Sequence, residues 1–151
     1  SLGLVGSEMC IRDTQRPDMA IHKFLRNALM GVPIQIYGDG SQMRDFTYIT
    51  DVVEATLTAV LSDVEGEIIN VGSGRPIRLS ELVSLIADLL SREVEIVYSE
   101  KQKGDVYITL ADIRKARKLL DYKPKVDIRE GLKAELRWIA SLYNINCEGL
   151  W

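Results

Sequence analysis

Residues 34–49, IQIYGDGSQMRDFTYI, decide how this chain is read. Ile34 to Tyr37 is a short extended run, Gly38-Asp39-Gly40 is turn chemistry, and Arg44 to Ile49 is a second extended run. Asp39 between two glycines invites a metal-loop reading. No second carboxylate follows at calcium-loop spacing, so a hairpin turn is expected instead. Upstream, Asp18 can cap a helix in which Ile21, Phe24, Leu25, Ala28 and Leu29 follow the i, i+3, i+4, i+7 series, ending near Gly31 and Pro33. Downstream, Thr50 or Asp51 caps a helix with Val53, Thr56, Leu57, Val60 and Leu61 on one face. Glu67 to Val71 reads as a strand, and Gly72-Ser73-Gly74 as a turn. Ser80 caps a helix carrying Leu82, Leu85, Ile86, Leu89 and Leu90, and Val94, Ile96 and Tyr98 alternate in a following strand. Beyond the loop Ser99 to Tyr107, Asp112 opens a short helix with Ile113, Ala116 and Leu120. Asp127, with Glu130 three residues on, starts a last helix bearing Leu132, Leu136, Ile139, Ala140 and Tyr143. The sum is a mixed α/β chain of five helices and few, short strands.

Composition agrees with one ordinary hydrophobic core: 151 residues, 46% apolar, 27% charged, formal charge −3. There is no run of 18 apolar residues for a membrane span, and no basic excess that would suggest nucleic acid. Cys10 and Cys147, near opposite ends, do not make a disulfide scaffold, so a reducing cytoplasm is the expected compartment. With His22 as the single histidine, zinc clusters and histidine-rich catalytic sites are not expected. His22 has no acidic residue at i+4 and reads as a packed or solvated side chain rather than a general base.

The ends read differently from the rest. Leu4 to Asp13, LVGSEMCIRD, is what one reading frame of a common transposase sequencing adapter encodes. Residues 1–13 are therefore expected to be non-native, with an organised region over residues 14–143 and an unpatterned tail over 144–151.

Motifs for phosphate cradles are absent: no G-x-G-x-x-G follows a strand and no G-x-x-x-x-G-K-[ST] occurs. Gly72-Ser73-Gly74 is only part of such a pattern. Arg44 begins a strand that leads into a capped helix, a place from which a guanidinium fork can meet phosphate oxygens. Taken alone, an exposed Arg44–Asp45 pair is the simpler expectation. Arg16, ahead of a helix N-terminus, could also meet an anion there. Lys101-Gln102-Lys103-Gly104-Asp105 is a basic loop suited to a phosphate, and a solvated charge run fits it equally.

Taken together and in order, QRPDMAIHKFLRNALMG, PIQIYGDGSQMRDFTYITDVVEA, INVGSGRPIRLSEL, KGDVYITLADIRKARKLLDYKPKV and REGLKAELRWI resemble the C-terminal portion of the extended short-chain dehydrogenases that modify nucleotide sugars. The resemblance runs from Gln15 to about Ile139, with wording closest to 4-epimerases of UDP-glucuronate and related UDP-sugars. Decarboxylases and dehydratases of the same family remain open. What it implies is the substrate-binding lobe of a two-lobed enzyme whose Rossmann core is largely missing. That N-terminal lobe would hold NAD and supply the Tyr-x-x-x-Lys pair. Tyr48 and Tyr98 have no lysine four residues later, and Tyr143 has Cys147 there. By the same resemblance, Arg44 grips the diphosphate of a UDP-sugar and Tyr37 lies against the uracil. The Gln35 backbone reads the base edge, Asp105 accepts from the ribose hydroxyls, and Arg16 lies near the nucleotide sugar. Gln102 stands where many relatives carry a second diphosphate arginine, so Lys101, Lys103 or Arg16 would have to supply that charge. Asn70, Ser80 and Asp112 match family positions but are explained by a strand end and two helix caps. The implied partners are a UDP-sugar and the missing Rossmann lobe, with the parent a homodimer. The lobe alone is expected to be inactive and to expose apolar surface.

Overall fold

The computed structural model describes residues 19–145. In chain order these form α1 (Ala20–Met30), β1 (Ile34–Tyr37), β2 (Met43–Arg44), α2 (Ile49–Leu61), β3 (Ile77–Arg78), α3 (Leu79–Leu90), β4 (Ile96–Ser99), α4 (Arg114–Leu120) and α5 (Ile128–Leu142). Mixed α/β character and five helices among the described residues agree with the sequence reading.

Alternation of apolar residues builds the larger core. Ile34 and Ile36 of β1 point inward, and β1 pairs in parallel with β4 in the register Ile34↔Ile96 to Tyr37↔Ser99. Their inner face is covered by α1, α3 and α5, whose periodic residues Leu25, Leu82, Ile86, Leu132, Leu136 and Ile139 are fully buried. Helix ends keep α1 and α5 in place. Gly31 adopts the left-handed conformation that closes α1, with Val32 N–H donating to Asn27 O. Asp127 caps α5 by accepting from Glu130 N–H at 3.0 Å, as the spacing suggested.

A smaller core sits at the other side, where Ala55 and Ala59 of α2 meet Ile69, Ile113, Tyr122, and Ala116 and Leu120 of α4. Asp51, buried in the first turn of α2, accepts from the N–H groups of Lys125 and Val126 and ties the connection before α5 to this helix. Tyr122 donates to Gly72 O at 2.9 Å, and burial, with Asp51, Asp45 and Glu54 adding to it, pushes its hydroxyl up to about 12.

Several local expectations change. Residues 34–49 do not form a hairpin: β2 pairs antiparallel with β3, and β1 pairs in parallel with β4. The reason lies in the turn, where Gly38 N–H continues onto Ser99 O and the Gln42 side chain takes Tyr37 O, so the chain leaves β1 sideways. The second extended run shortens to Met43–Arg44, and Ile49 already belongs to α2. Residues 67–71 form no strand because no edge among the described residues pairs with them, although Ile69 is still buried. Helix starts shift as well. Tyr48 and Arg78 occupy the N-cap positions of α2 and α3, the latter donating its N–H and its guanidinium to the Glu81 carboxylate, so neither Thr50, Asp51 nor Ser80 caps. Asp18 lies outside the described residues, and the N-cap position of α1 is Met19. Just beyond α5, Asn144 N–H donates to Ser141 O and Ile145 N–H to Ala140 O.

The face of α2 picked out by sequence periodicity is the one left open. Val53, Leu57, Val60 and Leu61 are exposed, Leu61 at 77%, while Val52, Ala55 and Ala59 are buried. Neighbouring Ile68 is exposed too. A helix apolar on both sides normally has both sides covered. Among the described residues no helix is long and apolar enough to cross a membrane.

Candidate functional site

The end of β1, the start of β2 and the loop after β4 converge on one corner. Ile34 and Gly38 donate their N–H groups to Glu95 and Ser99 of the β4 side, so by alternation the backbone groups of Gln35 and Tyr37 face the opposite edge of β1. The Tyr37 ring is partly exposed on that strand, and the Gln35 side chain donates to Ser99 Oγ at 2.9 Å. Met43 N–H donates to Tyr107 O and Thr109 N–H to Met43 O, which lashes the 101–107 loop beside β2.

These constraints bring Arg44 and Asp105 into an ion pair, Arg44 Nη2 donating to Asp105 Oδ1. Arg44 Nη1 adds donations to Met43 O at 2.8 Å and Val106 O at 3.0 Å. Gln42, 2% exposed, donates Nε2 to Tyr37 O and to Asp105 Oδ2, the latter at 3.4 Å. Both partners are acceptors, which orients the amide and leaves buried Oε1 without a donor. Gly38 makes room for this amide: with φ +80° and no side chain it clears Nε2, which a Cβ would approach to 2.7 Å.

Tyr37, Arg44 and Asp105 are therefore brought together, with Gln35 on the same strand edge as Tyr37. Arg16 lies outside the described residues. Gln42 was missed as a site residue, and its sequence signal was modest: a polar side chain that the structure shows fully buried, five positions after the tyrosine. Lys101, Lys103 and Gln102 are exposed on the loop leading to Asp105.

Other polar candidates resolve into structural roles. Asp39 accepts from Ser41 N–H and Oγ, and the Ser41 contacts, aided by Lys101, hold its carboxyl below the ordinary range. The Arg44–Asp45 pair is not formed. Asp45 instead accepts from Ser73 N–H at 3.0 Å, Ser73 Oγ, Gly74 N–H at 3.1 Å and Ala111 N–H at 3.1 Å. The Gly72-Ser73-Gly74 turn is thus an anion cradle whose anion is internal. Gly72 is needed there, because a Cβ would meet Ala111 Cβ at 2.4 Å. Asp112 accepts from Arg114 N–H and guanidinium at the start of α4, a contact that lowers its carboxyl to about 2. No group of histidine, cysteine and carboxylate side chains among the described residues could hold a metal ion.

His22 is packed, as its setting in an amphipathic helix suggested. It is 1% exposed, edge-on to Trp138 and Tyr143, with Nδ1 3.8 Å from Glu135 Oε1. Neither ring nitrogen has a hydrogen-bond partner. Burial, reinforced by Arg26, lowers its pKa, and burial raises that of Glu135.

A short parallel strand pair covered by helices, with a guanidinium and a carboxylate meeting beside its strand end, is part of a mixed α/β fold. The sequence profile described as the NAD dependent epimerase/dehydratase family matches residues 3–72. The chain is 46% identical over 82% of its length to an uncharacterized protein of Methanocaldococcus jannaschii, and 42% identical, again over 82%, to a UDP-glucuronate 4-epimerase of Thermodesulfobacterium geofontis. Each match spans 38% of the relative. Among solved structures, a UDP-glucuronic acid 4-epimerase of Bacillus cereus in complex with UDP-glucuronic acid and NAD superposes with TM-score 0.82 and 37% identity, over 85% of this chain and 42% of that one. Over the part it spans, this chain belongs to the NAD-dependent epimerase/dehydratase family. It covers about two fifths of the length of these relatives.

Proposed function

We propose that this chain is the substrate-binding part of an NAD-dependent nucleotide-sugar epimerase and holds the UDP portion of a UDP-sugar. The observation that carries the reading is the convergence of Tyr37, Arg44 and Asp105. An aromatic face, a guanidinium fork and a carboxylate match a base, a diphosphate and a ribose in chemistry. In this reading the Gln35 backbone reads the base edge and Arg16 adds charge near the nucleotide sugar.

The contribution to the reaction is binding and orientation. Contacts to the nucleotide, remote from the sugar carbon that reacts, position the sugar and supply energy that can be used in the transition state. NAD supplies transient oxidation of that carbon in such enzymes. The described residues do not fit NAD: the glycine turn 72–74 directs its N–H groups at Asp45, so no step is assigned to the cofactor here. The chain alone is expected to turn over no UDP-sugar. Its open α2 face supports this, since that stripe fits a surface normally covered by the rest of an enzyme. A stand-alone nucleotide-sugar binding module is the second reading, favoured by the closed core beneath β1 and β4. A decarboxylase or dehydratase parent would use the same corner.

Residues 4–13 are proposed to be translated adapter sequence, although the family match begins at residue 3 and runs through them. The source DNA tests this, and a codon series unlike the adapter's would end it.

Binding is tested by two-dimensional NMR of the chain during addition of UDP. Saturable shifts of the Tyr37, Gln42, Arg44 and Asp105 amides, with the α2 amides unmoved, are expected. No shifts, or shifts confined to other elements, would overturn the proposal.

A further inference from the structure

In the free chain the two groups assigned to the ligand satisfy each other. Arg44 and Asp105 are both largely withdrawn from solvent, their side chains 17% and 25% exposed, and the guanidinium is further bound to Met43 O and Val106 O. A ligand that offers only an anion would draw Arg44 away and leave Asp105 charged and unpaired beside it. A ligand that offers only hydroxyls would meet a carboxylate already occupied on Oδ1. Either half must work against the ion pair, and only a molecule bringing both replaces what is lost on each side.

We propose that the Arg44–Asp105 pair is a latch that selects a nucleoside diphosphate over its separate nucleoside and diphosphate halves. This rests on the reading of the corner as a nucleotide site and adds how that site discriminates. Gln42 is the positioning residue of the latch. Its amide spans Tyr37 O and Asp105 Oδ2, in the space Gly38 leaves free, so Asp105 stays in register with the base-binding strand when Arg44 turns to the diphosphate. Recognition of ribose and diphosphate is thereby coupled through one ion pair, and the coupling is reciprocal.

The test is calorimetric titration of inorganic pyrophosphate into the 151-residue chain, Asp105→Asn, Arg44→Ala and the double variant, with UDP titrated into the unsubstituted chain. Asp105→Asn keeps the shape of the loop and releases the guanidinium. Pyrophosphate should then bind about fivefold more tightly than to the parent, the scale of one partly exposed ion pair. The gain should vanish when Arg44 is also alanine. A gain that persists without Arg44 reflects only the lost negative charge near Lys101 and Lys103, and overturns the latch. Unchanged or weaker pyrophosphate binding to Asp105→Asn, with UDP still bound by the parent chain, overturns the latch and leaves the nucleotide reading standing. An Arg44-dependent gain without UDP binding shows only that Asp105 masks Arg44, and overturns both the latch and the nucleotide reading. No binding of either ligand by any form overturns both.

Discussion

The layer of α1, α3 and α5 over β1 and β4 and the smaller corner of α2 and α4 are built from the same kinds of residue, yet only in the first do the periodic apolar residues of every helix face the core. In the larger layer the periodic residues of each helix coincide with its buried face. In α2 they do not: Ala55 and Ala59 face the small core, and the larger side chains Val53, Leu57, Val60 and Leu61 face outward. The difference shows that amphipathic periodicity locates an apolar face of a helix without deciding whether the described residues cover it.

Truncating matched leucines should separate the two regions most strongly. Leu136→Ala in α5, at a position with no exposure, should cost about 3 kcal/mol in urea unfolding, the usual range for a buried leucine. Leu57→Ala, at a residue 57% exposed, should change stability by less than about 0.5 kcal/mol. Equal costs would mean that the outer face of α2 is covered after all.

Asp45→Ala should follow in size, at about 2 kcal/mol, because it leaves three backbone N–H groups and one hydroxyl without their shared charged acceptor. Hydrogen exchange at Ser73, Gly74 and Ala111 should accelerate together. Protection unchanged at these amides would remove Asp45 from its role in holding the 72–74 turn and Ala111 together.

Replacing Val53, Leu57, Val60 and Leu61 by glutamine should act on association rather than folding. Sedimentation should show self-association weakened by about tenfold or more with the unfolding midpoint little changed, since the stripe contributes solvent-exposed apolar area. A large loss of stability would contradict an open face.

The smallest effect separates the regions by pH. His22 and Glu135 lie in the larger core, and their shifts have opposite signs. His22 is held below 6.5, so its contribution is intact above pH 6.5. It is lost as acidification protonates the unfolded chain first, down to the lowered folded value. Glu135 is raised above 4.5, so folding retains its proton longer and stability rises as pH falls through that window toward 4.5. His22→Leu should therefore melt with a smaller drop than the parent between about pH 7 and pH 5.5. Glu135→Gln should be more stable than the parent near neutral pH, the difference fading below about pH 4.5. Parallel melting of all three proteins would remove this account of the buried pair.

Helix identities and the strand 34–37 were legible from their strong periods, whereas the caps were legible at Asp127 and not at α2 or α3. Pairing was not. Whether β2 meets β1 or β3 depends on Gln42 taking Tyr37 O, a contact that no local pattern announces. Residues 67–71 have strand composition and alternate burial at Ile68 and Ile69, but strand formation also needs a neighbouring edge. At the site, Arg44, Tyr37 and Asp105 were singled out through family resemblance, and local reading instead paired Arg44 with Asp45. The partner exchange arises from three segments meeting: Asp45 turns to the 72–74 turn, and Asp105 arrives from a loop about 60 residues away.

The most direct test of the central claim is calorimetric titration of UDP into the purified chain beside Arg44→Ala. A single saturable UDP site, weakened at least about tenfold by Arg44→Ala while the melting temperature stays within a few degrees, is the predicted result. Absence of UDP binding, or equal affinity in the two proteins, would contradict it.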